Sequence, residues 1–488
     1  MAEKTAAERT AERIFATLCS LKLAVLVILS LAIALAAATF IESLYDTACA
    51  QYWIYRTNWF YGLLFLLGLN IFCVAVSRFP WKFRHVPFLL AHLGILILLL
   101  GSWITYKVGI DGSLRISEGE AASIVDLDAA SLFVYDRSEL KALPIKWIPP
   151  TVSFTPIRLA SHGLSYPIVI DQFVSHAEPI VSFISDGIPA FPSEKKSPAL
   201  KIRVKGGPMQ ISQEIWLWHG TSEWKDVQAG PARFSIRVEG ESEGEGTKTS
   251  KTNGPTISFF LRNKGDLSFV AKSSAGKIVR GTFKRDEVKG QVLQPGWKGG
   301  VTITMEEWFP NAVPSTTYKP ARIQYGNQAP GSAIHLRMAD GKDGVWLGLG
   351  ERAVLQLEKR QVEIAYYPKR VVLPFSIRLD RFNIEHDEGT VNPASYSSNV
   401  TVEGRQSTIS MNEPLETKDY TFYQASYENA MPRPVTSIFT VNRDPGRPWK
   451  YGGSLLIVLG TILLFVMKYL KFKAVKKSPV LTARLGDA

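Results

Sequence analysis

FRHVPFLLAHLGILILLLGSWITYKVGIDGSLRISEGE, residues Phe83–Glu120, decides the architecture. It opens on basic residues, Lys82 just before it and Arg84 within it, then stays apolar from Val86 to Ile104. As a helix that run crosses a hydrocarbon core of about 30 Å. It closes on Trp103 and Tyr106, amphipathic aromatics that favour the membrane–water boundary. Inside it sits one ionisable side chain, His92. Counted from Val86 at about 1.5 Å per residue, His92 lies roughly 9 Å in from the basic-flanked end. A titratable group at that depth is costly unless it meets a partner, a cavity or a ligand. Two readings stand: a neutral imidazole hydrogen-bonded to a neighbouring helix, and a ligand.

Three further apolar runs flank this one. Leu21–Ile41 follows a polar, basic start containing Lys4, Arg9 and Arg13. It is too long for the apolar part of a signal peptide and is expected to be a retained helix. Trp59–Val76 carries Gly62, Gly68, Asn70 and Cys73, with Asn70 read as an interhelical hydrogen bonder and the glycines as points of close helix approach. Tyr451–Met467 opens with Gly452-Gly453 and ends against Lys468, Lys471, Lys473, Lys476 and Lys477. In the third run Gly94 and Gly101 share a face, so one side can pack closely on another helix, while His92 lines up with Leu96 and Leu99.

Between the third and fourth runs the pattern changes. Short alternating stretches at Leu200–Val204, Phe234–Val238, Thr256–Leu261, Val301–Met305, Val345–Leu349, Val362–Tyr366 and Phe375–Leu379 are separated by turn-forming clusters such as Gly206-Gly207-Pro208 and Gly341-Lys342-Asp343-Gly344. That pattern predicts many antiparallel strands in an all-β region of sandwich or barrel type. Residues 189–198 and 248–254 are expected to be loops.

The basic segments fix an expected orientation. Residues 1–20, 77–85 and 470–488 fall on one side of four spans, and by the positive-inside bias that side is the cytoplasm. The expected organisation is therefore a cytoplasmic N-terminus (1–20), three transmembrane helices within 21–106 (about 21–41, 59–76 and 86–106), an extracytoplasmic β domain (107–450), a fourth helix (451–469) and a cytoplasmic tail (470–488).

The chain of 488 residues has a formal charge of +12, but much of the excess sits beside apolar spans, so nucleic-acid binding is rejected. Cys19, Cys49 and Cys73 form no Cys-x-x-Cys, which excludes a dithiol redox motif, a c-type cytochrome and a cysteine-rich zinc site. Cys49 has no expected disulfide partner. No hydrolase elbow, phosphate loop or dinucleotide fingerprint stands in context. His162, His176, His219, His335 and His386 show no metal-ligand spacing and are read as structural. Trp216 and Trp218 are expected on one strand face. His85, at the inner boundary, is an interfacial residue or a second polar ligand.

Several blocks resemble the ResB family, also called CcsB, of the system II cytochrome c biogenesis machinery. They are Ser20–Ser43, Leu69–Phe79, His92–Glu120 with Gly109, Gly112, Glu118, Gly119 and Glu120, Ile409–Glu428, and Val441–Gly453. Residues 121–369 carry little of the resemblance, and Glu42-Ser43 stands where the family usually has Pro-Gln. The resemblance implies a multi-pass protein of the inner membrane that handles heme. It works with a polytopic CcsA/ResC-type partner, moving heme b outward and joining its vinyl groups to the thiols of apocytochrome c. The family's transmembrane heme-ligand histidine falls on His92, which would bind the iron axially. No catalytic acid, base or nucleophile is identified, so whether the chain is itself an enzyme stays open. The alternative is a scaffold that assembles partner and apocytochrome without binding heme.

Overall fold

The structure is a computed structural model that describes residues 5–136, 139–162, 166–185, 196–206, 211–240, 254–262, 265–321, 330–338, 344–357, 360–387, 393–428 and 434–476. The turn cluster at 341–343, most of the two expected loops (189–195 and 248–253) and the end of the basic tail lie outside the described residues.

The helices are α1 (Ala6–Leu18), α2 (Leu21–Leu44), α3 (Thr47–Ala50), α4 (Asn58–Val76), α5 (Val86–Val108), α6 (Ser222–Lys225) and α7 (Arg447–Lys476). Four of them, α2, α4, α5 and α7, are long and apolar enough to cross a membrane. They coincide with the four expected spans and extend them by a few residues. At the start of α7, Asp444 Oδ1 accepts from Gly446 N at 3.0 Å and Asp444 O from Arg447 N at 3.2 Å, starting the helix early. The connection after α2 is partly helical: Asp46 caps α3, and a π-type turn follows at Gln51–Tyr55. Helix α1 was not foreseen, although Thr5 and Glu8 close a capping box at its start. Ser20 then caps α2, accepting from Leu23 N at 3.2 Å.

The chain divides into two compact units, one formed by 1–130, 146–152 and 368–488, the other by 131–145 and 153–367. In the first unit the helices other than α6 are joined to a sheet. Its strand order is Arg405–Ser410, Pro393–Val402, Arg360–His386, Ala121–Asp136, Ile110–Ser117, Thr436–Arg443, Tyr420–Glu428 and Leu415–Thr417. The first strand packs back against the last two, so the sheet curls into a barrel. Alternate residues from each strand fill it, among them Leu114, Ile116, Ile377, Leu379, Val400, Ile409, Phe422, Phe439 and Val441. Gly119 begins this barrel with a φ of +90°, a conformation that costs a residue with a Cβ, in the turn between its first two strands. Its N–H reaches Leu379 O at 2.8 Å.

The second unit holds sheets packed face to face. The sheet Asp226–Ala229, Ala232–Val238, Thr256–Leu261, Leu267–Lys272 and Ile278–Phe283 stacks its Phe234, Ile236, Phe259 and Phe269 against Leu200, Ile202, Ile215 and Leu217 of another. One neighbour pair, Ala232–Val238 with Thr256–Leu261, runs parallel, whereas the sequence pattern predicted antiparallel pairs. Parallel pairing needs a long connection, and residues 239–255 supply one. The sequence pattern predicted one all-β region of sandwich or barrel type; the strands instead form a barrel in one unit and a sandwich in the other.

Candidate functional site

His92 lies one helical turn beyond Phe88 on α5 and is half-buried. Its Nδ1 is 2.9 Å from Phe88 O. A carbonyl oxygen can only accept, so Nδ1 carries the proton and, in the neutral ring, Nε2 holds the free lone pair. The imidazole also lies on the Phe88 ring, centroids 3.7 Å apart. The same ring is covered by the Arg78 guanidinium at 3.6 Å, delivered by the connection after α4. Backbone bond and ring contact hold the imidazole in one orientation and place a cation beside it. That is the usual outer support of a metal-binding histidine, one nitrogen anchored and the other presented.

The stripe that continues from His92 packs on α4. A Cβ at Gly68 would meet Leu99 Cδ1 at 3.5 Å and Leu96 Cδ2 at 4.0 Å, ordinary contact distances. The α4 glycines thus do not bring backbones together: Gly68 accommodates leucines and Gly62 meets nothing within 4 Å. Asn70 is buried and bonds between helices as expected, its Nδ2 donating to Leu18 O at 2.6 Å where α1 gives way to α2.

The close seam is on the other face of α5. A Cβ at Gly94 would stand 2.6 Å from Gly453 O, one at Gly446 would stand 2.0 Å from Gly101 O, and one at Gly460 would stand 2.6 Å from Ala91 N. Gly446, just before α7, and Gly453 and Gly460 within it are spaced by sevens and run antiparallel to Gly101, Gly94 and Ala91. Backbone lies on backbone along the pair, where any side chain would displace it. The sequence had assigned Gly94 and Gly101 to a packing face; the matching seven-residue spacing from Gly446 was the unread signal for its partner.

At the end of this seam Asp444 ties helices and barrel together. It receives Thr105 Oγ1 at 2.5 Å from α5 and Lys450 Nζ at 2.5 Å from α7, besides its cap to Gly446. Burial raises its carboxyl, but these bonds outweigh burial and hold it below the usual aspartate range. The Asp444-Pro445-Gly446 turn was the legible sign of a helix start.

The other histidines do not join His92. His85 Nε2 accepts from Arg84 Nε at 3.1 Å, which occupies the atom a ligand would need. His162 Nδ1 is 3.3 Å from Arg158 O. His335 Nδ1 lies 2.7 Å from Asp171 Oδ1, beside an Arg337–Asp171 ion pair at 3.0 Å and the Trp346 ring. No sequence proximity announced that pair, since 164 residues separate its members. Trp216 and Trp218 lie on one strand face as expected, both against Phe183, in a small core with Trp224 and Phe309. Among the described residues no three histidine, cysteine or acidic side chains cluster for a metal.

Comparison with known proteins adds the family. Residues 344–438 match the model of the ResB-like family. The match takes in the Ile409–Glu428 block and reaches back into residues 344–369, where the sequence carried little of the resemblance. Protein NrfI of Wolinella succinogenes is similar over 443 residues at 23% identity, covering 90% of this chain. The chain spans about a third of that relative's length, 33%. With four apolar spans around a β-rich region, the chain is similar to the ResB-like family over residues 344–438.

Proposed function

We propose that this membrane protein is a subunit of a system II cytochrome c maturation complex, in which His92 binds heme iron axially while heme b passes to apocytochrome c. One observation carries the reading: the His92 imidazole is anchored through Nδ1 to Phe88 O, which leaves Nε2 as the ligating atom. Heme is here the substrate in transit. An apolar porphyrin suits a site within a span, and Arg78, seated on Phe88, is placed to pair with a propionate. The chain's own part is to orient the imidazole, supply the cation and hold α5 rigid against α7.

The basic connection Arg78–Arg84 and the lysine-rich tail face the cytoplasm in this reading, and the β units lie on the periplasmic side of the inner membrane. Thiol addition to a vinyl group saturates the carbon–carbon double bond without net redox change. Placing thiol and vinyl together is then the main requirement, which the complex meets by proximity. A CcsA/ResC-type polytopic partner supplies the second axial histidine and the tryptophan-rich heme-handling segment.

Two experiments test this. Reporter fusions at Gly254 and at the C-terminus should report opposite sides of the membrane; the same side for both overturns the topology. In cells stripped of other maturation systems, holocytochrome should form only when the chain and its partner are expressed together. Holocytochrome from the chain alone would refute the partner dependence.

A further inference from the structure

A cavity of about 550 Å³ opens where the barrel meets the first turn of α7, lined by Lys418, Tyr420, Arg443, Pro445 and Arg447 among others. Arg443 is the last residue of its strand, and Phe439 and Val441, four and two residues before it, both point into the barrel core. The same alternation turns Arg443 inward at the barrel mouth. Its guanidinium lies 5.6 Å from the Tyr420 ring. Its Nε is buried and, among the described residues, has no hydrogen-bond partner. A buried N–H on a cation that bonds to nothing is costly, which points to an acceptor that the protein itself does not provide.

The neighbouring charges are already matched. Arg447 donates to Glu416 Oε1 at 3.0 Å and to Thr421 Oγ1 at 3.1 Å. Lys450 is bound to Asp444, and Lys418 to Glu403. Arg443 is left as the inward cation, with Asp419 exposed on the rim. Lys418 and Asp419 form a tight hairpin turn with φ of +46° and +68°, which carries the lysine to the cavity edge.

We propose that this cavity holds the phosphate of an anionic phospholipid headgroup, gripped by Arg443 with Lys418 at the rim. The depth argues for lipid over free phosphate. The cavity adjoins the residues at which a membrane span begins. Trp449 and Tyr451, 49% and 70% exposed on the next turn, mark the interfacial level at which headgroup phosphates lie.

The test is native mass spectrometry of the full chain in neutral detergent, with phosphatidylglycerol, phosphatidylcholine and inorganic phosphate as probes. Phosphatidylglycerol should be retained over phosphatidylcholine, should resist competition by inorganic phosphate, and should bind at least about tenfold more weakly to Arg443→Gln. Lys418→Gln, on the exposed rim, should weaken it severalfold and decides the matter if Arg443→Gln is not recovered folded. Equal retention of the two lipids, or retention unchanged in the recovered variants, overturns the site. Displacement by inorganic phosphate overturns its assignment to lipid.

Discussion

The two faces of α5 are built on opposite principles. Toward α7, Gly94 and Gly101 lie directly against the backbone at Gly453, Ile457, Gly446 and Lys450. Toward α4, Gly68 faces the side chains of Leu96 and Leu99, in line with His92, at ordinary van der Waals distances. A backbone seam fixes distance and admits no insertion. A side-chain face can repack, and it is there that the one ionisable group of the span is found. The fold holds α5 by one face and offers chemistry from the other.

Breaking the seam should do most damage. Gly453→Leu drives a side chain into the Gly94 carbonyl, and loss of about 3 kcal/mol or more is expected, read as a collapsed thermal midpoint or aggregation in detergent. A variant as stable as the wild type would show that the helices are not held there. Asp444→Asn should cost about 2 kcal/mol by weakening the bonds to Thr105 and Lys450. Because its folded carboxyl is held low, that stabilisation is complete above the ordinary aspartate pKa and is lost as pH falls through the folded value. The stability gap between wild type and Asp444→Asn should therefore close in acid; a gap constant with pH would contradict the clasp. On the other face Leu96→Ala should cost only about 1–2 kcal/mol, and a loss matching that of Gly453→Leu would erase the contrast. Smallest is a reactivity difference. Burial, then a hydrogen bond to Asp46, push the Cys49 thiol up to about 12. Native protein should label with maleimide at Cys19, which is partly exposed, and not at buried Cys49 until unfolded.

The spans were legible because nothing but a membrane helix explains apolar runs of that length, and strands such as Thr256–Leu261 were legible from alternation. What escaped depends on distance in the chain. The partner of Gly94 lies in α7, 359 positions away as numbered from 94 to 453, and no local pattern joins them. The parallel pairing of Ala232–Val238 with Thr256–Leu261 is set by which strand edge is free, a tertiary fact. His92 was conspicuous as a lone polar group, but its tautomer was not, because that rests on where the Phe88 carbonyl points. Arg443 hid in a run of charged residues and shows its isolation only once Arg447 and Lys450 have taken their partners.

The most direct test of His92 as heme ligand is the absorption spectrum of the complex purified with its partner, wild type against His92→Ala. Reduced co-purified heme, lost maturation, an intact complex and partial recovery on added imidazole are expected, with His162→Ala and His386→Ala unchanged. Full heme content and full maturation in His92→Ala would contradict the account.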